Sequence, residues 1–82
     1  MRIKVRFMCV DIPIGLGNGE IDIEEGATVE DVVIECAKRY NMAMPLKELL
    51  KSMFLVDTKP ARKDRVLHEG EELTVVRTLA GG

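Results

Sequence analysis

The chain has 82 residues, 46% of them hydrophobic and 32% charged, a size that supports one small domain and leaves no room for a separate catalytic domain. A formal net charge of -2 argues against the clustered cationic surface that nucleic-acid phosphates require, and no apolar stretch has the length needed to span a bilayer, so neither nucleic acid nor membrane is an expected partner. With two Phe, one Tyr and no Trp, the core must be filled by Ile, Leu, Val and Met.

Residues 2–10 alternate, with Ile3, Val5, Phe7 and Cys9 on one face and Arg2, Lys4, Arg6 and Met8 on the other, the pattern of a half-buried strand. No signal-peptide block precedes this alternation, so the expected location is the cytoplasm. Pro13, Gly15, Gly17, Asn18 and Gly19 then interrupt regular structure and predict a loop. Alternation resumes over residues 20–24, where Ile21 and Ile23 face inward and Glu20, Asp22 and Glu24 face water, completing a hairpin.

The period changes after Gly26. Thr28 is placed to cap a helix whose first turn holds Asp31, where the dipole favours negative charge. Val29, Val32, Val33, Cys36, Ala37 and Tyr40 form one apolar stripe, and Glu30, Asp31, Glu35, Lys38 and Arg39 form the wet side. Asn41 ends this helix. Pro45 opens a second, short one through Leu46, Leu49 and Leu50, extending as far as Met53. Residues 54–56 read as a short strand, residues 57–60 as a turn, and Val66-Leu67 as a very short strand or bridge. After a second polar turn at residues 68–71, residues 73–78 are dense in β-branched side chains and predict a central strand, pairing beside the first. One amphipathic helix over such a sheet gives a two-layer α+β domain.

Few residues are suited to chemistry within this body. Cys9 and Cys36 match no metal-ligand spacing, the single His68 leaves a zinc site short of ligands, and both cysteines fall on inward faces where they act as small hydrophobes. Ser52 has no base in its sequence context, and His68 lies in a polar turn. The basic run Arg62-Lys63, followed by Asp64 and Arg65, reads as a solvated turn. Gly15 to Gly19 lacks the spacing and the strand-to-helix setting of a nucleotide-binding fingerprint, so these glycines read as loop residues. No metal or cofactor is expected on this chain.

The C-terminus is different. Gly81 and Gly82 contribute no packing and are costly to order, so their use lies in what the missing side chains permit. They can thread a narrow channel, and the four residues 79–82, fully extended, reach roughly 13 Å. A carboxylate delivered that far could meet a nucleotide held by another protein. The chain therefore divides into a domain at residues 1–78 and a tail at residues 79–82.

The stretch LHEGEELTVVRTLAGG, with its acidic Gly turn, β-branched strand and terminal Gly-Gly, resembles the ubiquitin-like sulfur carriers, which include the small subunit of molybdopterin synthase and the thiamine-biosynthesis sulfur carrier. The resemblance covers nearly the whole chain. It implies a β-grasp fold, with a mixed sheet of four to five strands packed on one main helix. It also implies that the chain is a carrier and not an enzyme: the Gly82 carboxylate would be adenylated by a ubiquitin-activating-type partner that supplies ATP and Mg, converted to a thiocarboxylate, and used by a sulfur-accepting synthase. Gly81 would serve through its flexibility, Ala80 and Leu79 would line the mouth of the partner's channel, and Thr74, Val76 and Thr78 on the outer face of the last strand would dock the partner. The chain length and the loop after the first strand look like the molybdopterin type, while LAGG is closer to the thiamine type. A protein modifier joined through the same glycine to a lysine, and an interaction module whose tail is never activated, are the alternatives.

Overall fold

A computed structural model of the chain describes residues 1–8, 18–40 and 46–76. In chain order it has β1 (Arg2–Met8), β2 (Asn18–Asp22), α1 (Val29–Tyr40), α2 (Leu46–Leu49), β3 (Met53–Val56), β4 (Lys59–Ala61) and β5 (Glu72–Val76). The five strands form one mixed sheet in the order β2-β1-β5-β3-β4. β5 runs parallel to β1 and antiparallel to β3, while β1–β2 and β3–β4 are antiparallel hairpin pairs. This is the β-grasp arrangement, with the last strand central and beside the first, as the sequence pattern predicts.

The core follows from two periodicities. Along β1, Ile3, Val5 and Phe7 are buried while Arg2, Lys4, Arg6 and Met8 are exposed. Along α1, Val29, Val32, Val33 and Cys36 are fully buried and, with Leu73 and Val75 of β5, form one cluster. Leu49 of α2, Phe54 and Val56 of β3, and Leu67 complete it. Each fully buried aliphatic side chain of this kind contributes on the order of 1.5–3 kcal/mol.

The start of α1 is closed by hydrogen bonds from two sources. The Asp31 N–H donates to Thr28 Oγ1 (3.2 Å) and the Thr28 N–H donates to Asp31 Oδ2 (3.0 Å), a reciprocal capping box. The segment before β5 supplies the rest: the Val29 N–H donates to the Arg65 carbonyl and the Glu30 N–H to the Lys63 carbonyl, both at 3.0 Å. The basic run is thus a solvated turn, as predicted, whose backbone straps the helix.

Three expectations need correction. The second strand is Asn18–Asp22 and not residues 20–24: Asn18 and Gly19, expected in the loop, pair with Arg6 and Val5, and Ile23 and Glu24 lie past its end. Residues 57–60 are not all turn: only Asp57 and Thr58 turn, with φ of 49° and 71°, and Lys59–Ala61 is a strand. A two-residue loop with both φ positive matches the twist of the flanking strands, and Pro60 is tolerated because β4 lies at the sheet edge. Met53 does not extend α2 but begins β3. Val66 forms the predicted bridge, pairing with Thr28.

The turn before β5 is held by Glu71. Its carboxylate accepts from Arg65 at 3.1 and 3.0 Å and from the His68 N–H at 2.6 Å. The Arg65 hydrogen bonds hold the Glu71 carboxyl down, from the ordinary value of 4.5 to about 2. The unfolded chain takes up this proton at higher pH than the folded one, so the stabilisation is present above the ordinary value and is lost as pH falls from there toward about 2. Replacing Glu71 with Gln is expected to cost about 1 kcal/mol near neutral pH, reduced by solvent screening at the partly exposed Arg65, with the difference closing in strong acid. Thermal unfolding of both proteins across the acid range checks this; a difference that stays constant with pH would assign the cost to packing.

Candidate functional site at the exit of the central strand

β1 and β5 are parallel, so both end at the same edge of the sheet, where antiparallel β3 begins. Register places Met8 of β1 and Met53 of β3 on either side of Val76, the last residue of β5. Leu73 and Val75 point into the core, so Val76 stands on the opposite face by strand alternation. Met8 is 56% and Met53 61% exposed, and Val76 is half-buried. Three apolar side chains therefore lie abreast at the C-terminal end of β5.

One row back, Arg6 and Leu55 flank Thr74, and Lys4 lies beside Glu72 in the row after that. The outer face is apolar at the exit and charged away from it. At the far end, the Asp57 N–H donates to the Glu72 carbonyl (2.9 Å) and the Glu72 N–H donates to Asp57 Oδ1 (3.0 Å), which pins the start of β5 to the β3–β4 turn. β5 is fixed at its entrance and leads the chain to an apolar rim at its exit.

Of the residues singled out from sequence, Thr74 and Val76 do share this face, but Thr74 is only 4% exposed. A threonine between two paired strands is covered by its cross-strand neighbours, so the apolar surface this face shows to solvent is that of Met8 and Met53, with half-buried Leu55 and Val76. Thr78, Leu79, Ala80, Gly81 and Gly82 lie outside the described residues. Met8 and Met53 were not singled out. The signal for Met8 was present, as the one apolar residue on the charged face of its strand; Met53 was hidden by its assignment to the short helix.

The other candidates have structural places. Burial of the Cys36 side chain pushes its thiol up to about 11, which suits a core hydrophobe and not a nucleophile. Cys9 lies outside the described residues. Ser52 Oγ is buried without a hydrogen-bond partner, and His68 is exposed in the turn held by Glu71. No described residues group three potential metal ligands, and no described helix is long and apolar enough to cross a membrane.

A sequence profile of the ThiS family matches residues 14–82. The chain belongs to the ThiS family. These are ubiquitin-like sulfur carriers, the group indicated by the terminal motif. Solved structures share the family's fold at low identity. SAMP1, a small archaeal modifier protein from Haloferax volcanii, superposes with a TM-score of 0.74 at 17% identity, over 100% of both chains. A Pyrococcus furiosus protein assigned as molybdopterin converting factor subunit 1 gives 0.67 at 19%, over 96% of this chain and 99% of that one. A chain in the complex of subunits 1 and 2 of molybdopterin-converting factor from Helicobacter pylori gives 0.64 at 19%, over 100% of both. No curated protein matches the sequence.

The burial pattern separates two kinds of substitution. Met8→Lys and Met53→Lys are expected to change stability by no more than about 0.5 kcal/mol, because both side chains already meet water. Thr74→Lys places a charge in a covered row and is expected to cost more than about 2 kcal/mol. Denaturant unfolding of the three variants checks the contrast; equal losses would mean that the two methionines are packing residues.

Proposed function

We propose that this chain is a sulfur carrier in cofactor biosynthesis, of the molybdopterin, tungsten-pterin or thiamine type, and that its reactive group is the Gly82 carboxylate. Family membership supports the carrier class, and the exit geometry of β5 carries the argument for how it works. The central strand ends between Met8 and Met53, so a partner that covers this apolar rim also receives the segment 77–82.

A free carboxylate is a poor electrophile. An adenylating partner that holds ATP and Mg converts it to an acyl adenylate, expelling pyrophosphate. A sulfide-equivalent nucleophile then attacks the acyl carbon and AMP leaves, giving a thiocarboxylate whose sulfur passes to the acceptor. This chain contributes the carboxylate, the reach and the docking surface, and acts as a co-substrate. Gly81 keeps the approach free of side chains, while Leu79 and Ala80 line the mouth of the channel. The Helicobacter pylori neighbour, solved as a complex of two subunits, supports a sulfur-accepting synthase as the second partner. The likeness to SAMP1 favours a second reading, a modifier whose activated glycine ends in an amide bond to a lysine.

Intact-mass analysis tests the carrier reading. Incubation with ATP, a sulfur donor and the cognate adenylating enzyme is expected to add about 16 Da, as sulfur replaces one carboxylate oxygen, and the gain should vanish when Gly82 is deleted. ATP consumption without that gain, accompanied by branched lysine conjugates, would replace the carrier with the modifier.

A further inference from the structure

The two edges of the sheet are built differently. In the β3–β4 hairpin the tight two-residue loop makes Val56↔Lys59 a hydrogen-bonded pair, so Lys59 and Ala61 turn their backbone groups toward β3 and Pro60 turns outward. Proline has no N–H, so this edge cannot receive a full ladder of bonds from another strand.

β2 presents the opposite case. The Lys4 N–H donates to the Glu71 carbonyl, so the even residues of β1 address β5 and the odd ones address β2. Met1 and Ile23 exchange bonds at 2.7 and 2.9 Å, which fixes the same parity on β2. Glu20 and Asp22 therefore turn their backbone groups away from the sheet. The Asp22 carbonyl accepts from Arg39 (3.0 Å), which leaves the Glu20 N–H, the Glu20 carbonyl and the Asp22 N–H unpaired among the described residues. Beside them, between β2 and α1, lies a groove whose lining sets the carboxylates of Asp22, Glu24, Glu25, Asp31 and Glu35 against one cation, Arg39, with half-buried Ile23 and buried Ala27 also lining it.

We propose that the open edge of β2 is a docking edge for an extended, cationic segment of a partner protein, which adds to the sheet as a sixth strand. The backbone groups supply the ladder and the charges choose the occupant. Asp22 is compensated by Arg2, Glu35 by Arg39 and Asp31 by the helix cap, and Glu20 lies opposite Lys4 across the β1–β2 pair, whereas Glu24 and Glu25 have no hydrogen-bond or ion-pair partner among the described residues. By strand alternation Glu20 shares a face with Asp22, so alternate residues of an added strand would meet these two carboxylates, with Glu24 just past the end of β2. An acidic strand would be repelled there. This edge lies at the opposite side of the sheet from β3, so it is distinct from the exit of β5.

The test uses the full chain and a capped Lys-Val-Lys-Val-Lys peptide, followed by amide NMR at low salt. Binding is expected to shift the Glu20 and Asp22 amides and slow their exchange. Methylating alternate peptide nitrogens, which keeps the charge but removes ladder donors, is expected to weaken binding at least about tenfold, as is the double variant Glu20→Lys, Glu24→Lys. Equal binding of the methylated peptide would reduce the effect to diffuse charge and overturn the proposal. So would shifts confined to Met8, Leu55 and Met53, or no binding at all.

Discussion

The parallel pairing of the first and last strands is the contact on which the rest of the structure depends. It sets Lys4–Met8 against Glu72–Val76, residues from opposite ends of the sequence, and puts β5 at the centre of the sheet. Ile3, Val5 and Phe7 then lie beside Leu73 and Val75 on one face, where the stripe of α1 covers them. Loop closure over nearly the whole chain is costly, and only this shared core repays it. The same pairing decides direction. Because the two strands are parallel, β1 and β5 finish at the same end of the sheet, the one opposite the end where the Glu71 turn is locked.

The segment between β4 and β5 links this geometry to the helix. Its carbonyls take the first amides of α1, the Leu67 N–H donates to the Ala27 carbonyl, and Glu71 gathers Arg65 and the His68 amide. Charged residues here serve the fold, which explains why a basic run and the lone histidine suggest no chemistry. The apolar rim of Met8, Val76 and Met53 has no such internal use. An exposed methionine pair at the C-terminal end of β5 has the character of a surface that adapts to a partner.

Much of this was legible in the sequence because the signals were local. Period-two alternation marked β1 and the body of β2, the stripe from Val29 marked α1, and β-branched density marked β5 as central. What escaped depended on tertiary context. Pro60 read as a turn residue, and only its place at a sheet edge lets it sit in β4. Asp57 and Thr58 carry positive φ without glycine, so no composition cue marked them as the whole turn. Of the residues named on the outer face of β5, Thr74 is covered, while Met8 and Met53 on the neighbouring strands are exposed, a consequence of cross-strand register that no single segment encodes. The tail residues rest on the terminal motif and the family, since they lie outside the described residues.

In the proposed function the rim and the tail act as one unit, with the partner reading Met8, Val76 and Met53 while it activates Gly82. Pyrophosphate exchange by the adenylating partner, with this chain as co-substrate, measures that most directly. The double variant Met8→Glu, Met53→Glu, checked to unfold at the same temperature as the unaltered chain, is predicted to lower kcat/KM for exchange at least about tenfold. Undiminished exchange by that folded variant would contradict the account.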